Sequence, residues 1–544
     1  MIVGITIFFY FMLVSMPGSK TQRVYRAAVV EYAPKREAYY LPHQIVMENT
    51  NQYIQLIDKI SPKKVDIIIF PEYGSTTLEV MKKVPAHLES YSIKIPEITH
   101  DNWPNPCCNT SEKYHKALIN LSCAARTANV HVVVHFLERE GTNESTCIFY
   151  STNIVFNNNG SIIHKYRKIN LHTEEHLQRG TSQTSYFKTN FGVTFGLLAG
   201  ADVLYKYPSN NFLNQNVTDI IYTTAWHSET PFLYGLSTQQ GYAKANKVNL
   251  LSACLSDPSN NSTGSGIYFS NGSLSDYTVS GIKSTRFIIR DIETEQKKLG
   301  NKSDTVINGF YKTHDVSSTT APQSPDDLSL TDHIQLATED LTNYTFKNID
   351  INRVFVEGCS ETHKSCCYSI TTDHQQQAES KYSYKLVSFT GVRSFHRRTI
   401  GISICAVVAC ESYTSCGIRS SSSPTRVFNN ISVSMLFENA SNGDFRPITL
   451  NYNLLPSTNY RFERGSLGND VACNITSTTP HNSLLTYGIF GRIYHKDNKI
   501  EGASQKMTLV DEANRTSNNR LNNHCVSIIA IAINLLLYNH QCAL

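Results

Sequence analysis

The pattern that most constrains this chain is an alternation of strand-like and helix-like segments over its first half. Between positions 25 and 290, short apolar runs rich in β-branched residues, such as VDIIIFPE, VHVVVHFLE and DIIYTTAW, are separated by longer amphipathic segments. Two of these segments, HQIVMENTNQYIQLIDKI and SEKYHKALINLSCAARTAN, carry apolar residues at helical spacing. Strands that alternate with helices favour a layered α/β domain with buried sheets.

The second half of the chain follows a different pattern. Positions 291–345 are polar, which predicts a linker or a long surface excursion. From 346 to 505, short strand-like runs such as GISICAVVAC and LLTYGIFGRIY follow one another without helical segments between them. We therefore predict a smaller, β-rich second domain that contains cysteines.

Each end of the chain carries an apolar segment that is short for a membrane span. The first has about fifteen apolar residues before Pro17, which predicts a signal peptide at 1–19, with an uncleaved anchor as the alternative. The last has a thirteen-residue run after a polar stretch, which predicts a GPI-attachment signal at 515–544 with Ser517 or Asn518 as attachment point. A terminal amphipathic strand or helix is the alternative there.

Asn-x-Ser/Thr sequons support export, because they are glycosylation acceptors in secreted proteins. The candidates are Asn109, Asn120, Asn143, Asn159, Asn216, Asn260, Asn261, Asn271, Asn301, Asn343, Asn430, Asn439, Asn474 and Asn514. We predict a secreted or extracellular glycoprotein, held on the outer membrane leaflet if the GPI signal is used. The oligomeric state is not predicted.

Composition narrows the classes of function. The chain has 40% hydrophobic residues, a net charge of +4 and 49 basic residues that form no block. A nucleic-acid-binding surface needs clustered Lys and Arg, so nucleic acid is excluded as a partner. Fourteen cysteines fit disulfides in an oxidising compartment, and no paired set of Cys-x-x-Cys motifs is present. We predict disulfides, no metal site and no cofactor.

Three positions in the first domain follow strand-like runs and carry groups suited to catalysis. Glu72 follows VDIIIFP, Lys168 follows SIIHKYR, and the turn Ala199–Asp202 follows GVTFGLL. Ends of strands are where α/β folds gather catalytic groups. A strand that ends in a sharp turn is the layout that presents a catalytic nucleophile, and the third of these positions has it.

The order and spacing of these positions resemble the carbon–nitrogen hydrolase (nitrilase) family. Lys168 lies 96 residues after Glu72, and the turn at 200 lies 32 residues further on. The resemblance implies that Glu72 acts as general base and Lys168 stabilises the oxyanion. It also implies a Cys in the turn that forms a thioester with an amide or nitrile carbon.

Further segments resemble the vanin and biotinidase subfamily: FPEYG, TAWHSETPFLYGLS, TGSGIYFSNGS, GCSETHKSCCYSI and IFGRIYHKD. The resemblance spans about 25–500. It implies a four-layer α-β-β-α nitrilase-type domain at 22–290, followed by the β-rich domain at 346–505. It also implies a small amide of the pantetheine or biotinyl type as substrate, and Glu175 as a second acid that supports Lys168.

The turn departs from the family in the residue that matters most. Where the family has Thr-Cys-Phe-Asp, this chain has Ala199-Gly200-Ala201-Asp202. A hydrogen atom cannot replace a thiol as nucleophile, so whether the chain is an enzyme depends on Gly200. Three hypotheses follow: a pseudoenzyme that retains a binding pocket, an active amidase that uses another nucleophile such as Cys254, and a structural or binding cell-surface glycoprotein.

Overall fold

The computed structural model describes most of the chain between its two ends. The described residues are 23–36, 40–99, 102–108, 114–141, 147–181, 185–215, 217–294, 334, 336–349, 355–360, 365–373, 381–395, 398–412, 415–420, 422–438, 443–467 and 469–498. The predicted signal peptide, the predicted GPI-attachment signal with Ser517 and Asn518, and most of the predicted linker lie outside them. So do six candidate sequons, Asn109, Asn143, Asn216, Asn301, Asn439 and Asn514.

The first domain alternates strands and helices. Its strands are β1 (Arg23–Glu31), β2 (Ile67–Ile69), β3 (His131–Glu140), β4 (Ile148–Phe156), β5 (Ile162–Arg167), β6 (Tyr186–Lys188), β7 (Thr194–Ala199), β8 (Asp219–Thr224), β9 (Glu229–Thr230), β10 (Asn249–Cys254), β11 (Ser265–Tyr268), β12 (Leu274–Thr278) and β13 (Arg286–Thr294). Its helices are α1 (Pro42–Ile60), α2 (Pro85–Leu88), α3 (Lys116–Ala128), α4 (Lys206–Leu213) and α5 (Gly235–Asn246). The two helices predicted from amphipathic spacing correspond to α1 and α3.

Two mixed sheets pack face to face in this domain. One has the order β13-β1-β2-β3-β4-β5 and the other β12-β11-β10-β8-β7-β6. Side chains from both sheets, including Val29, Val133, Leu197 and Leu251, form one buried cluster. A second cluster joins the outer face of the first sheet to α1 and α3, and a third joins the outer face of the second sheet to α4 and α5. The predicted four-layer α-β-β-α fold is confirmed.

Strand direction explains where the functional loops meet. Strands β1, β2 and β3 are parallel, and so are β7, β8 and β10. The carboxyl ends of parallel strands lie at one edge of a sheet, so the loops that follow them collect there. The loops after β2, β5 and β7 carry the predicted site residues.

The second domain is β-rich, as predicted, and its strands pair antiparallel except for the first. They are β14 (Ala337–Thr338), β15 (Thr345–Asn348), β16 (Phe355–Ser360), β17 (Ser365–Asp373), β18 (Ser383–Phe395), β19 (Arg398–Cys410), β20 (Val427–Phe437), β21 (Asp444–Asn451), β22 (Tyr460–Leu467), β23 (Asp470–Ser477), β24 (His481–Asn482) and β25 (Leu484–Arg492). Two sheets result, β15-β18-β19-β25-β21 and β16-β17-β20-β23-β22. The short β14 instead pairs with β9 of the first domain, so part of the segment predicted as linker is ordered structure.

Disulfides are present, as predicted from the cysteine content. Among the described residues they join Cys107 to Cys123, Cys359 to Cys366, Cys367 to Cys405 and Cys410 to Cys416. The Cys367–Cys405 bond links β17 to β19 and therefore ties the two sheets of the second domain together. The described cysteines outside disulfides are Cys108, Cys147, Cys254 and Cys473.

The two domains share one hydrophobic core, which runs from the outer face of the second sheet into the second domain. Helix α5 packs against β21, and all its residues from Gly235 to Ala243 are buried. In the described part of the chain, no helix combines the length and the apolar character that crossing a bilayer requires.

Candidate active site

Glu72 is placed by a strained turn after β2. The next residue, Tyr73, has a left-handed backbone with φ +56°, a conformation that is uncommon for a bulky side chain. Two contacts hold it there: its N–H donates to His135 Nδ1 at 3.0 Å, and its hydroxyl donates to Glu174 Oε1 at 3.0 Å. Strain of this kind persists where the surroundings fix it, and it is concentrated at functional sites. Here it accompanies the turn that presents the Glu72 carboxylate.

Lys168 joins two buried carboxylates. It follows β5 directly, and its backbone N–H donates to the Ser151 carbonyl at 2.8 Å. Its Nζ donates to Glu72 Oε1 at 2.8 Å and to Glu174 Oε1 at 2.5 Å. The side chains of Lys168, Glu72 and Glu174 are only 4%, 2% and 1% exposed, respectively. A buried ammonium needs such partners, since the charge would otherwise be desolvated without compensation.

The pKa values of the three groups follow from this arrangement. Burial works to lower the pKa of Lys168, but the adjacent carboxylates of Glu174 and Glu72 outweigh it, so the pKa lies above its ordinary value. Burial works to raise the pKa of Glu174, but Lys168 and a backbone N–H from His172 lower it to about 2. Burial raises the pKa of Glu72 to about 7, with Lys168 opposing the rise and Glu174 adding to it. Glu174 is therefore ionised at neutral pH, whereas Glu72 is poised to take or give a proton.

Gly200 lies directly against this ion pair. It begins a 3₁₀ turn, Gly200–Leu204, at the end of β7, and its φ is +47°. A Cβ atom at this position would lie 2.5 Å from Glu72 Oε2 and 2.6 Å from Lys168 Nζ. The space that a side chain would need at Gly200 is thus filled by the carboxylate and the ammonium.

The turn itself is well supported. The Gly200 carbonyl accepts a hydrogen bond from Tyr222 Oη at 2.8 Å. The Asp202 carboxylate accepts hydrogen bonds from Tyr166 Oη at 2.6 Å and from the Asn170 backbone N–H at 2.9 Å. It also accepts one from the Ala199 N–H at 3.2 Å. Asp202 therefore fixes the turn to the loop that follows Lys168.

Comparison with known proteins agrees with this geometry. Residues 26–255 match the family described as carbon-nitrogen hydrolase, and residues 334–497 match the vanin C-terminal domain. The chain is 27% identical to Vanin-like protein 1 of Drosophila melanogaster over 528 residues, which cover 89% of each protein. It is 28% identical to Vanin-like protein 3 of the same species, over 91% of this chain and 93% of that protein. Biotinidase of Bos taurus is 26% identical, over 69% of this chain and 74% of that protein.

The chain belongs to the vanin-like branch of the carbon–nitrogen hydrolase family. The resemblance drawn from the order of Glu72, Lys168 and the turn is therefore confirmed at the level of family and fold. In this vanin-like chain, these three elements converge in one buried site, with Gly200 in van der Waals range of both charged groups.

The acid that supports Lys168 is a correction to the sequence prediction. Glu174, and not the predicted Glu175, bonds to Lys168. The Glu175 side chain is 41% exposed and lies 3.7 Å from His176 Nε2. The loop after β5 turns so that backbone N–H groups of His172 and Thr173 donate to Glu174 Oε2, at 2.8 and 3.0 Å, which points its other oxygen at the lysine. Two adjacent acids look alike in sequence, and only the path of this loop separates them.

Sequence reasoning also missed a hydrogen-bonded chain behind Glu72. His135 accepts from Tyr73 N–H at Nδ1, so a neutral ring carries its proton on Nε2, which lies 2.8 Å from Ser151 Oγ. Ser151 Oγ in turn donates to Glu72 Oε1 at 3.4 Å. Burial and the charge of Lys168 lower the pKa of His135 to about 3, which keeps the ring neutral. The signal available in the sequence was His135, a polar residue within the apolar run VVVHFL, whereas Ser151 stands beside the polar Thr152 and Asn153 and gives no such signal.

Cys254 is poorly suited to replace the missing thiol. It is fully buried at the end of β10, in the cluster on the outer face of the second sheet. Its Sγ lies 3.7 Å from Ser262 Oγ, and burial raises the pKa of the thiol to about 12. Nucleophilic cysteines have a lowered pKa and partial exposure, so Cys254 has the properties of a structural thiol.

The second domain contacts both loops of the site. The Phe395 ring lies 4.4 Å from the His172 ring, in the loop that carries Glu174. Arg446 is buried and donates from Nη2 to the Val203 carbonyl at 2.6 Å, within the turn that begins at Gly200. The C-terminal domain is thus part of the support of the site.

The described residues include one group with the spacing of metal ligands, Glu357, Cys359 and Cys366, whose ligand atoms lie within 4.8 Å of one another. Cys359 and Cys366 form a disulfide. Their sulfurs are therefore already bonded to each other, and this group does not suggest a metal centre.

Proposed function

We propose that this chain is an exported vanin-like glycoprotein whose amidase site no longer forms a covalent intermediate. The observation that supports this proposal is the glycine at position 200. In the family reaction, a thiolate attacks the amide carbon, the amine leaves, and water hydrolyses the resulting thioester. Gly200 has no atom that can form that bond, and the ion pair of Glu72 and Lys168 lies where the side chain would be.

The proposed role of each remaining group follows from its protonation state. Lys168, held as an ammonium by two carboxylates, is suited to stabilise a developing oxyanion. Glu72, with a pKa of about 7, is suited to act as a general base. Glu174 orients Lys168. The ligand class that fits this site by family relationship is a small amide of the pantetheine or biotinyl type.

Restoring the nucleophile tests this proposal. Wild type and Gly200→Cys should be assayed with a biotinyl amide and a pantetheine-type amide, with Gly200→Ser as the control that adds a side chain without a thiol. We expect Gly200→Cys to exceed wild type by at least about a hundredfold, since one member of a catalytic unit carries most of the acceleration. The acyl-enzyme should then appear as a mass increase on position 200.

The contradicting outcome is equally specific. Wild-type turnover similar to that of an active relative, lost on Glu72→Gln, would show that the chain is an amidase with another nucleophile. Cys254→Ala then separates the remaining explanations, because loss of that turnover would identify Cys254 as the nucleophile. The pKa and burial of Cys254 lead us to expect no change.

A second candidate function is a structural or binding glycoprotein with a filled site. It is favoured by the low exposure of Glu72, Lys168 and Glu174, which are 2%, 4% and 1% exposed. Calorimetric titration of wild type with a non-hydrolysable amide distinguishes the two. Saturable binding that is lost on Lys168→Met supports a retained pocket, and absence of binding supports the filled site.

Export remains part of the proposal. The disulfides of the described residues support an oxidising compartment. Five candidate sequons are exposed: Asn159, Asn260, Asn271, Asn343 and Asn430. Asn120, Asn261 and Asn474 are half-buried, and Asn474 Oδ1 accepts hydrogen bonds from Ser432 and Ser434 hydroxyls at 3.0 Å each. We expect peptide mapping after glycosidase treatment to find glycans at the exposed group and none at Asn474.

A further inference from the structure

A cleft between the two domains, whose lining includes none of Glu72, Lys168 and Gly200, has the properties of a ligand site. Its volume is about 230 Å³, and it is lined by α4 and α5 on one side and by Asp444, Arg464 and Tyr494 on the other. This is room for several water molecules, which suits a small ligand. Both domains contribute to its walls, so the cleft exists only in the two-domain protein.

The charges of the cleft do not balance. Lys206, at the start of α4, makes no hydrogen bond or ion pair with any residue that the structure describes. Arg464 faces it from the second domain and donates from Nη2 to the Gly443 carbonyl at 2.9 Å, with no carboxylate partner in the described part of the chain. A guanidinium has five N–H donors, so most of those on Arg464 are available.

The acid of the cleft is already engaged. Asp444 Oδ2 accepts from Arg446 Nε at 2.7 Å and also from its Nη2. Arg446 is 4% exposed in its side chain and lies over the Tyr242 ring at 4.8 Å. Asp444 and Arg446 therefore compensate each other, and the charges of Lys206 and Arg464 are left without a counter-charge among the residues described.

We propose that this interdomain cleft binds a small oxyanion, a phosphate or sulfate group carried by a compact molecule. Lys206 and Arg464 supply the charge from opposite walls, in the way that lysine acts as a point charge and arginine as a fork of donors toward phosphate. Asn210 and Asn246 also line the cleft, and Asn246 Nδ2 uses one of its two N–H groups to donate to the Tyr242 carbonyl at 3.0 Å. The ligand would bridge the two domains and stabilise their association.

Titration with inorganic phosphate, and separately with sulfate, tests the proposal on the full chain, with sodium chloride used to hold the ionic strength constant. We expect saturable binding by calorimetry and a thermal unfolding midpoint that rises with either anion and not with chloride. Arg464→Gln and Lys206→Gln should each weaken binding by at least about tenfold, because each removes a charged hydrogen-bond donor. The matched control is Arg461→Gln, an exposed cation on the same strand as Arg464.

Three outcomes overturn the proposal. They are no saturable binding of either anion, unchanged affinity in Arg464→Gln and Lys206→Gln, and an equal loss in Arg461→Gln, which would indicate non-specific attraction by net charge. The substituted side chains line a surface cleft, and circular dichroism of the variants establishes that they are folded. Anion binding in the cleft does not depend on amidase activity, so this test and the test of the proposed function have separate outcomes.

Discussion

The two halves of the candidate site have been preserved to different degrees. In the charged half, Glu72, Lys168 and Glu174 form one hydrogen-bonded cluster, each group held by at least one buried partner. In the turn, the scaffold is equally well held by Asp202 and Tyr222, yet the residue at its centre is Gly200. The turn therefore keeps its support although Ala199, Gly200 and Ala201 all differ from the residues that the family resemblance implies.

This contrast separates what the fold needs from what the chemistry needs. The charged half is a buried ion cluster, and removing Lys168 would leave its carboxylates in the protein interior without a counter-charge. The nucleophile position carries no such penalty, because glycine suits a φ of +47°. Stability therefore favours retention of Lys168 and its ionised partner Glu174 whether or not the protein catalyses a reaction.

The largest expected effect is on stability when the shared cation is removed. Lys168→Met leaves Glu72 and Glu174 facing each other without a counter-charge, so we expect a loss of about 3–5 kcal/mol in the free energy of unfolding. Urea denaturation measures it. Lys188→Met, at an exposed position on β6, is the control and should change stability by less than about 0.5 kcal/mol. Equal effects of the two substitutions would show that the cluster is not a stabilising requirement.

The next effect distinguishes two adjacent acids. Glu174→Gln removes a carboxylate bonded to Lys168, and we expect it to cost about 2–3 kcal/mol in the free energy of unfolding. Glu175→Gln changes a side chain that is 41% exposed, and we expect a change within about 0.5 kcal/mol. The two substituted residues are adjacent in the sequence, and only Glu174 bonds to Lys168. Comparing the unfolding free energies of the two variants therefore identifies the acid that supports Lys168. A larger loss for Glu175→Gln contradicts the assignment.

The sequence predicted the fold through its strongest periodicities. Runs such as DIII and NLLSAC became β2 and β10, and the amphipathic segments became α1 and α3. It did not predict α5, because the second domain covers the face that would otherwise be polar, so the helix is buried from Gly235 to Ala243 and lacks an amphipathic pattern. Hydrophobic periodicity detects helices and strands that have one solvent-exposed face. It fails for a helix that two domains enclose.

The sequence likewise predicted only part of the candidate site. Glu72 and Lys168 follow strands and could be placed at one edge of the sheets from the order of segments alone. The assignment of Glu174 depended on backbone N–H groups in its own loop, and the roles of His135 and Ser151 depended on the register of two paired strands. Register and loop path are set by tertiary packing, which a single sequence does not display.

A smaller effect tests whether the turn at position 200 has room for a side chain. In Gly200→Ala, the methyl group would lie 2.5 Å from Glu72 Oε2 on a left-handed backbone, so we expect a cost of about 1–2 kcal/mol in the free energy of unfolding. At Gly465, a Cβ atom meets nothing within 4 Å, and Gly465→Ala should be neutral or slightly stabilising. If the two variants are equally stable, the ion pair moves freely away from position 200, and a thiol would fit there without strain.

The last prediction concerns the pH dependence that Glu72 gives to stability. Its pKa rises from 4.5 to about 7 on folding, so between these values the native state holds a proton that the unfolded chain has released. Stability from this group is complete below pH 4.5 and is lost as the pH rises to 7, with a slope of at most about 1.4 kcal/mol per pH unit.

Glu72→Gln has no such proton, so the difference in unfolding free energy between wild type and Glu72→Gln isolates this slope from other buried groups, including Glu31 and Glu339, whose pKa values burial also raises to about 7. We expect the difference to fall from pH 4.5 to 7 and to be constant above. A difference that stays constant over this range would mean that Glu72 is fully ionised in the native state. The charged half would then hold Glu72 as a carboxylate of low pKa, and a thiol restored at position 200 would have only a weak base beside it.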